Sequence, residues 1–183
     1  WKQLPSGIWV LSFDGTDDYI EISDVASLDI STAYSIGIWV NWQVNGTRVA
    51  FSKWGQTGNQ RSWAIQILET GVAFWSDTDG TGGAGLVTTT FLKTINSNTF
   101  YLVFLTYDGT NLRCYVNGAL VGSPAAISAL HIGTSPVWFG RDQTQGISPM
   151  WQGKLGEGRI YKDLALSAGG IMQKYLGTRW RYN

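Results

Sequence analysis

Three polar segments of the sequence carry side chains that could hold a ligand by hydrogen bonds and ring stacking. Residues 54–61 combine a tryptophan with amides and an arginine, residues 77–85 contain two aspartates and four glycines, and residues 141–149 hold an arginine, an aspartate and further amides. Aromatic rings stack on the C–H faces of sugars, while amides, carboxylates and guanidinium groups fix their orientation. We therefore predict ligand-binding roles for Trp54, Gln56, Asn59, Arg61, Trp63, Asp77, Asp79, Arg141, Asp142 and Gln143.

The tryptophans have a competing explanation, because the chain has ten of them and a β sandwich packs most of its tryptophans inside. Trp39, Trp42 and Trp138 stand in alternating apolar segments and fit a core role. Trp54 stands in a polar segment, so packing and ligand contact both stay open for it. Three further tryptophans are expected to line the face beside it, namely Trp63, Trp75 and Trp151.

Catalytic chemistry has few candidates in this sequence. Glycoside hydrolysis needs two carboxylic acids about 5 to 9.5 Å apart, and the three glutamates, Glu21, Glu69 and Glu157, do not occupy alternate positions of one segment. A Ser-His-Asp arrangement stays open for His131, the single histidine, but no Gly-x-Ser-x-Gly motif accompanies it. We expect a binding protein and not an enzyme.

Composition excludes several other classes of protein. The 13 basic and 13 acidic residues balance, so the chain as a whole has no electrostatic footprint for nucleic acid. No run of about 18 apolar residues is present, so no membrane insertion is expected. The single cysteine, Cys114, lies among apolar residues and is expected to be buried. Because the chain begins with Trp1 and not with methionine, we expect a processed or excised form. Its length predicts a single domain that spans residues 1–183.

The stretch around which the chain is organised is residues 100–122, FYLVFLTYDGTNLRCYVNGALVG. Residues 100–107 are almost uniformly apolar and aromatic, which predicts a strand covered on both faces. Residues 108–111 have turn chemistry, residues 112–116 alternate, and Asn117-Gly118 favours a type I′ turn into a third strand. This pattern predicts an antiparallel meander.

Similar alternation recurs along the chain, most clearly in residues 34–42, and glycine-rich turns such as residues 77–85 separate the segments. About a dozen short strands are predicted, with one short helix near the end, for which Ser167 fits the N-cap and Gly177 the C′ position. The predicted fold class is all-β, a two-sheet antiparallel jelly-roll sandwich with one short C-terminal helix.

Four motifs in a fixed order carry a family resemblance. These are LSFDGTDDYIEI, YSIGIWVNW, FLTYDGTNLRCYVNG and WQGKLGEGRIYKDLALSAGGIMQKY. Together they resemble the laminin G-like family of concanavalin A-like lectin/glucanase jelly rolls over nearly the whole chain. The last motif departs from the family pattern, since Gly156 and Glu157 stand where two acidic residues are common, and Gly169 and Gly170 stand in the helix.

The resemblance implies a structural calcium ion between the start of the chain and its last strand. Asp14, Asp17, Asp18 and Glu157 are the residues left to hold it, and we name Asp14, Asp18 and Glu157 as its ligands. Calcium needs six to eight oxygen ligands. The competing and favoured explanation is a plain turn at residues 14–18 with exposed carboxylates.

The favoured function is a non-catalytic recognition or attachment module, carbohydrate-binding, that acts on a cell surface, in a secreted protein or on a viral particle. One alternative is a structural or decoration domain that acts through protein contacts in a larger assembly. Its C-terminal Trp180, Arg181 and Tyr182 then dock on another subunit, unless this tail folds back on its own sandwich. A glycoside hydrolase is the third and least favoured interpretation.

Overall fold

The protein consists of two stacked antiparallel sheets, in a computed structural model that describes residues 1–43, 46–142 and 150–182. The strands are β1 (Lys2–Gln3), β2 (Trp9–Asp14), β3 (Ile20–Ile22), β4 (Tyr34–Trp42), β5 (Arg48–Gly55), β6 (Gln60–Leu68), β7 (Gly71–Asp77), β8 (Leu86–Leu92), β9 (Phe100–Tyr107), β10 (Asn111–Val116), β11 (Ala119–Ala126), β12 (Val137–Phe139) and β13 (Gln152–Lys162). The seven-stranded sheet has the order β1-β2-β13-β4-β9-β10-β11, and the six-stranded sheet has the order β3-β12-β5-β6-β7-β8. The predicted sandwich is confirmed.

The core lies between the sheets, and the alternation of β4 shows how it is made. Ile36, Ile38 and Val40 point into it, and all three are fully buried. Trp39, one position out of phase, points to the outer face of the seven-stranded sheet and belongs to a second apolar cluster. The meander of β9, β10 and β11 is also confirmed, with Cys114 buried as expected.

The outer face of the seven-stranded sheet is covered by the C-terminal segment. Helix α1 (Ala168–Thr178) and the 3₁₀ turn that follows it pack on Trp39, whose indole N–H donates to the Thr178 hydroxyl at 3.2 Å. The Tyr182 ring stacks on the Trp39 ring with centroids 4.2 Å apart. Tyr182 therefore folds back on its own sandwich, while Trp180 stays 59% exposed.

The helix begins and ends close to the predicted positions. Ser167 is its N-cap, and its hydroxyl accepts the Gly170 N–H at 3.2 Å. The prediction that Gly177 follows the helix is wrong, because the helix continues to Thr178. The described residues contain no helix with the length and apolar character needed to cross a bilayer.

A buried ion pair fixes the connection between β3 and β4. The Lys53 ammonium group, on a side chain only 1% exposed, pairs with Asp24 and with Asp29, the latter at 3.2 Å, and donates to the Ser135 carbonyl at 3.0 Å. A lysine inside a sheet needs such partners because burial of an unpaired charge is costly. The polar segment 23–33 is thus tied to the six-stranded sheet.

Close packing on the outer face of the seven-stranded sheet gives a test of the fold. The Phe104 ring lies directly against Gly37, where it leaves no space for a methyl group. We expect Gly37→Ala to lower the free energy of unfolding by about 1–3 kcal/mol, because overpacking displaces the ring. The matched control is Gly177→Ala, in an open helical position, which should raise it by up to about 1 kcal/mol. Equal urea midpoints for the wild type and Gly37→Ala would contradict this packing.

Candidate functional site

Two of the three predicted polar segments meet at one end of the six-stranded sheet. The Arg61 guanidinium group, at the start of β6, donates to the Thr81 carbonyl of the β7–β8 loop. The Gln60 side-chain oxygen accepts the Thr134 N–H of the connection before β12, and the Ser62 hydroxyl donates to the His131 carbonyl at 2.7 Å. We call this region the loop cluster; it consists of Asn59, Gln60, Arg61, Asp79, His131 and Thr134.

The β7–β8 loop is held in shape by one aspartate. Asp77 is fully buried, and its carboxylate accepts the N–H groups of Asp79, Gly80 and Gly82 at 3.0, 2.8 and 2.7 Å. Asp77 therefore has a structural role beneath the loop, whose backbone is hydrogen-bonded to its carboxylate. Its carboxylate is not displayed to a ligand.

Asp79 lies at the exposed tip of the same loop. Its carboxylate accepts the N–H and the hydroxyl of Thr81 at 2.9 and 2.7 Å. These hydrogen bonds, backbone first, lower the pKa of Asp79 from its usual value, and the nearby His131 adds to the effect. Asn59 and Gln56 are exposed in the β5–β6 turn beside it. The loop cluster thus presents an anionic carboxylate, a guanidinium group and amides on one polar surface.

The third predicted segment lies elsewhere. Arg141 is near the opposite end of β5, since the preceding Gly140 N–H donates to the Ala50 carbonyl at 3.0 Å. The Arg141 guanidinium group sits over the Tyr19 ring, 4.4 Å from its centroid. Asp142 is buried beside Arg141, and Gln143 lies outside the described residues. Arg141 and Asp142 therefore do not lie with the residues predicted in the other two segments.

The predicted tryptophan platform is buried. Trp54 lies within β5 and not in a loop, and it packs on Trp75 with ring centroids 5.4 Å apart on the face opposite the core. Trp63 and Trp151 lie in the core with no exposed surface. Trp54 is only 2% exposed. None of these three rings is available for stacking on a ligand, and Trp75 is half-buried.

The three predicted calcium ligands are not brought together. Asp14 and Asp18 share one turn, where the Asp18 carboxylate accepts the Asp14 N–H at 3.0 Å. Glu157 lies further along β13, past the last pair that β13 makes with β2, and it binds Arg159 instead. The described part of the chain holds no group of three or more His, Cys, Asp or Glu residues placed to bind a metal ion. The residues do not fit the calcium site that the resemblance implied.

A groove with exposed aromatic rings lies at the open edge of the sandwich, in residues that the sequence-based prediction missed. Its volume is about 460 Å³. Trp1 and Trp9 are 77% and 60% exposed, and half-buried core side chains form its floor. We call it the aromatic groove; its main lining residues are Trp1, Trp9, Leu11, Ile20, Phe139 and Glu157.

The groove lies where β2 is only partly paired, because β1 on one edge and β13 on the other each pair with part of its length. Trp9 and Val10 pair with β1, whereas residues 11–14 pair with β13. β13 bulges against β4 between Leu155 and Gly158, and its described pairs with β2 end at Leu155. The edge of the core therefore stays uncovered between β2 on one sheet and β3 and β12 on the other.

Tyr182, in the turn after α1, supports the bulge. Its hydroxyl accepts the Glu157 N–H at 2.9 Å, and its ring lies so close to Gly156 that no side chain would fit there. Gly158 in turn lies against the Phe139 ring. The packing of two aromatic rings thus explains both glycines, including Gly156, which departs from the family pattern.

Charged groups lie at one end of the groove. Both carboxylate oxygens of Glu157 accept from the Arg159 guanidinium group at 2.8 Å, and Arg181 is 4.0 Å away. Exposed ion pairs of this kind contribute little to stability. Their importance here is that they place a guanidinium group and a carboxylate beside two exposed indole rings.

Comparison with known proteins places the chain in a family. A laminin G family model, described as the concanavalin A-like lectin/glucanases superfamily, matches residues 14–172. The chain therefore belongs to this superfamily. Curated protein sequences give no match.

Solved structures with the same fold include sugar-bound and toxin domains. Domain 4 of AbnA, an extracellular arabinanase from Geobacillus stearothermophilus solved with arabinotriose, is 18% identical with a TM-score of 0.68, and the match covers 90% of this chain and 75% of that one. The binding domain of Paraclostridial Mosquitocidal Protein 1 is 14% identical with a TM-score of 0.67, covering 91% and 45%. The botulinum neurotoxin serotype D domain solved with N-acetylneuraminic acid is 16% identical with a TM-score of 0.65, covering 87% and 40%. The chain spans less than half of these two toxin domains, and the likeness shows a shared fold.

Replacement of the buried aspartate tests the account of the loop cluster. We expect Asp77→Ala to lower the free energy of unfolding by about 2–3 kcal/mol, because three N–H groups lose a charged acceptor. Asp79→Ala, at the exposed tip of the same loop, is the matched control and should cost clearly less. Chemical denaturation measures both, and amide hydrogen exchange of residues 78–85 should rise in Asp77→Ala. Equal effects of the two substitutions would contradict the role given to Asp77.

Proposed function

We propose that the chain is a non-catalytic recognition module that binds carbohydrate in the aromatic groove. The observation that carries this proposal is the pair of exposed indole rings, Trp1 and Trp9, above an open apolar floor. Large apolar side chains left in water on a folded protein commonly mark a binding surface. A sugar ring, which has apolar C–H faces and a polar rim, suits a site of this composition.

The groove supplies the polar contacts that fix a sugar in place. Arg181 offers guanidinium N–H groups, and on the same wall Glu157, although paired with Arg159, keeps carboxylate lone pairs that can accept from a sugar hydroxyl. The combination of aromatic walls with a few convergent polar groups is typical of small-ligand sites, and the volume of about 460 Å³ lies within their usual range of about 300–1,000 Å³.

Catalysis is not part of the proposal. Glu157 is the one carboxylate among the residues that line the aromatic groove, and both its oxygens are engaged by Arg159. Hydrolysis of a glycoside requires a second acid across the bond. Glu21, on β3, accepts the indole N–H of Trp138 at 2.9 Å instead. This absence of a facing pair supports binding without bond cleavage.

The solved relatives support the ligand class and the location. The arabinanase domain was solved with arabinotriose and the serotype D toxin domain with N-acetylneuraminic acid, and the arabinanase is extracellular. Carbohydrate binding thus occurs in proteins that contain this fold. We extend it to this chain, and we propose that the chain acts outside the cytoplasm, on a cell surface, in a secreted protein or on a particle.

The loop cluster is a second place where a sugar could be held. Asn59, Arg61 and Asp79 present an amide, a guanidinium group and a carboxylate on one surface. Exposed aromatic rings are missing from the residues that define it. We therefore rank it below the aromatic groove, and the experiment below separates the two sites.

A contact function in a larger assembly is the second candidate. Met172, Leu176 and Trp180 are exposed at four-residue intervals along α1 and the turn after it, which gives an apolar stripe on the surface. Analytical ultracentrifugation tests this candidate. Association that Leu176→Glu removes would favour it, whereas a concentration-independent monomer would leave carbohydrate binding as the favoured function.

The expected result for the groove is a loss of binding on removal of one ring. A glycan array that includes arabinotriose and N-acetylneuraminic acid conjugates should show binding that free sugar competes away. Trp9→Ala should then lower affinity about 30-fold, since loss of a tryptophan anchor costs about 2 kcal/mol or more. Calorimetric titration measures the change.

Two matched variants locate the site. Trp180→Ala removes an equally exposed tryptophan that does not line the groove, and it should leave affinity unchanged. Arg61→Ala tests the loop cluster. A large loss with Arg61→Ala and none with Trp9→Ala would move the site to the loop cluster, and no specific binding on the array would refute the proposed function.

A further inference from the structure

We infer that the aromatic groove binds an internal stretch of a linear, uncharged oligosaccharide over several consecutive sugar units, and not a single terminal sugar. This inference rests on the function proposed above. It comes from a second hollow that continues the groove along β2 and shares Trp1, Leu11 and Ile20 with it.

The second hollow is an extension of the groove and not a separate site. Its volume is about 190 Å³, below the usual lower limit of about 300 Å³ for a small-ligand site. The groove proper, at about 460 Å³, is within the usual range. Trp1 belongs to both hollows, so a ligand in one lies against the same indole ring as a ligand in the other.

The two hollows follow one strand. The aromatic groove is lined by Trp9, Val10 and Leu11 of β2, and the second hollow is lined by Leu11, Ser12 and Phe13 of the same strand. At about 3.3 Å per residue, the distance along β2 from the first of these residues to the last is about 13 Å. This length exceeds one sugar ring, and both hollows are open to solvent. An elongated chain can therefore lie along β2 and leave at both ends.

Aromatic rings are spaced along this path. Trp9 stands at one end, Trp1 where the hollows join, and Tyr19 in the second hollow, with exposures of 60%, 77% and 47%. The Arg141 guanidinium group lies over one face of the Tyr19 ring, and this cation–π contact holds the ring in place. Successive rings along an open path suit successive sugar units, each of which offers an apolar face.

The distribution of charge favours an uncharged ligand. The middle of the path is formed by Trp1, Leu11 and Ile20, which carry no side-chain charge. The charged side chains lie away from this middle: Glu157 and Arg181 line the aromatic groove, and Asp18 lines the second hollow, where Arg141 lies over the Tyr19 ring. A polymer with a negative charge on each unit would place its charges against the apolar middle and beside Asp18.

Titration with oligosaccharides of increasing length tests this inference on the full chain. The probes are arabino-oligosaccharides of one to six units and a second series of β-1,4-linked gluco-oligosaccharides. For the series that binds, affinity should rise by about tenfold or more between one unit and three or four units, and then level off. Oligomers that carry a carboxylate on every unit should bind at least tenfold more weakly.

The Tyr19→Ala variant locates the extension. It should lower affinity for the longest oligomers about tenfold and leave affinity for one or two units unchanged, so that the length dependence becomes flatter. Trp180→Ala should leave the whole series unchanged. Melting temperatures equal to that of the wild type show that both variants fold.

The possible failures are distinguishable. Equal affinity for one unit and for six units would overturn the inference while the proposed function stands. An unchanged length dependence in Tyr19→Ala, or an equal loss for short and long oligomers, would also overturn it. No binding of either series, together with no specific binding on the glycan array, would remove the proposed function as well.

Discussion

The stacking of Tyr182 on Trp39 is the contact on which the groove side of the molecule depends. It fixes the C-terminal turn to the seven-stranded sheet, and the same tyrosine hydroxyl accepts the N–H of Glu157 in the bulge of β13. Arg181 is thereby placed on the wall of the groove. The C-terminal turn and the bulge of β13 are thus one structural unit, and through Tyr182 the apolar cluster around Trp39 extends to the wall of the aromatic groove.

The open edge of the core distinguishes this sandwich from a closed one. Leu11, Ile20 and Phe139 have the character of core residues but remain half-buried, because β2 pairs with β13 over only part of its length. Their exposure forgoes part of the stabilisation that burial would give, at about 25 cal/mol for each Å². Surfaces that keep such exposure commonly serve binding. The polar loop cluster at the end of β5 and β6 is a second surface, and the structure separates the two.

Local sequence patterns predicted much of the fold but little of the candidate site. The strict alternation of residues 34–42 identified β4 and its inward face, and Asn117-Gly118 identified the turn between β10 and β11. Trp54 was misplaced because the polar residues after it resemble a loop, although β5 extends to Gly55. Trp9 was overlooked because its exposure depends on the order of strands in the sheet. A tryptophan at the first position of a strand, next to a Pro-Ser-Gly turn, is the signal that could have drawn attention to it.

The role of Asp77 has a consequence for the variability of the surface. The path of the β7–β8 loop is set by a carboxylate beneath it and by backbone N–H groups, so it does not depend on side chains such as those of Thr78 and Ala84, which project into solvent. Substitutions at these two positions can give the loop new surface chemistry while its backbone course is retained. Homologous domains could diversify in specificity by this route without insertion or deletion.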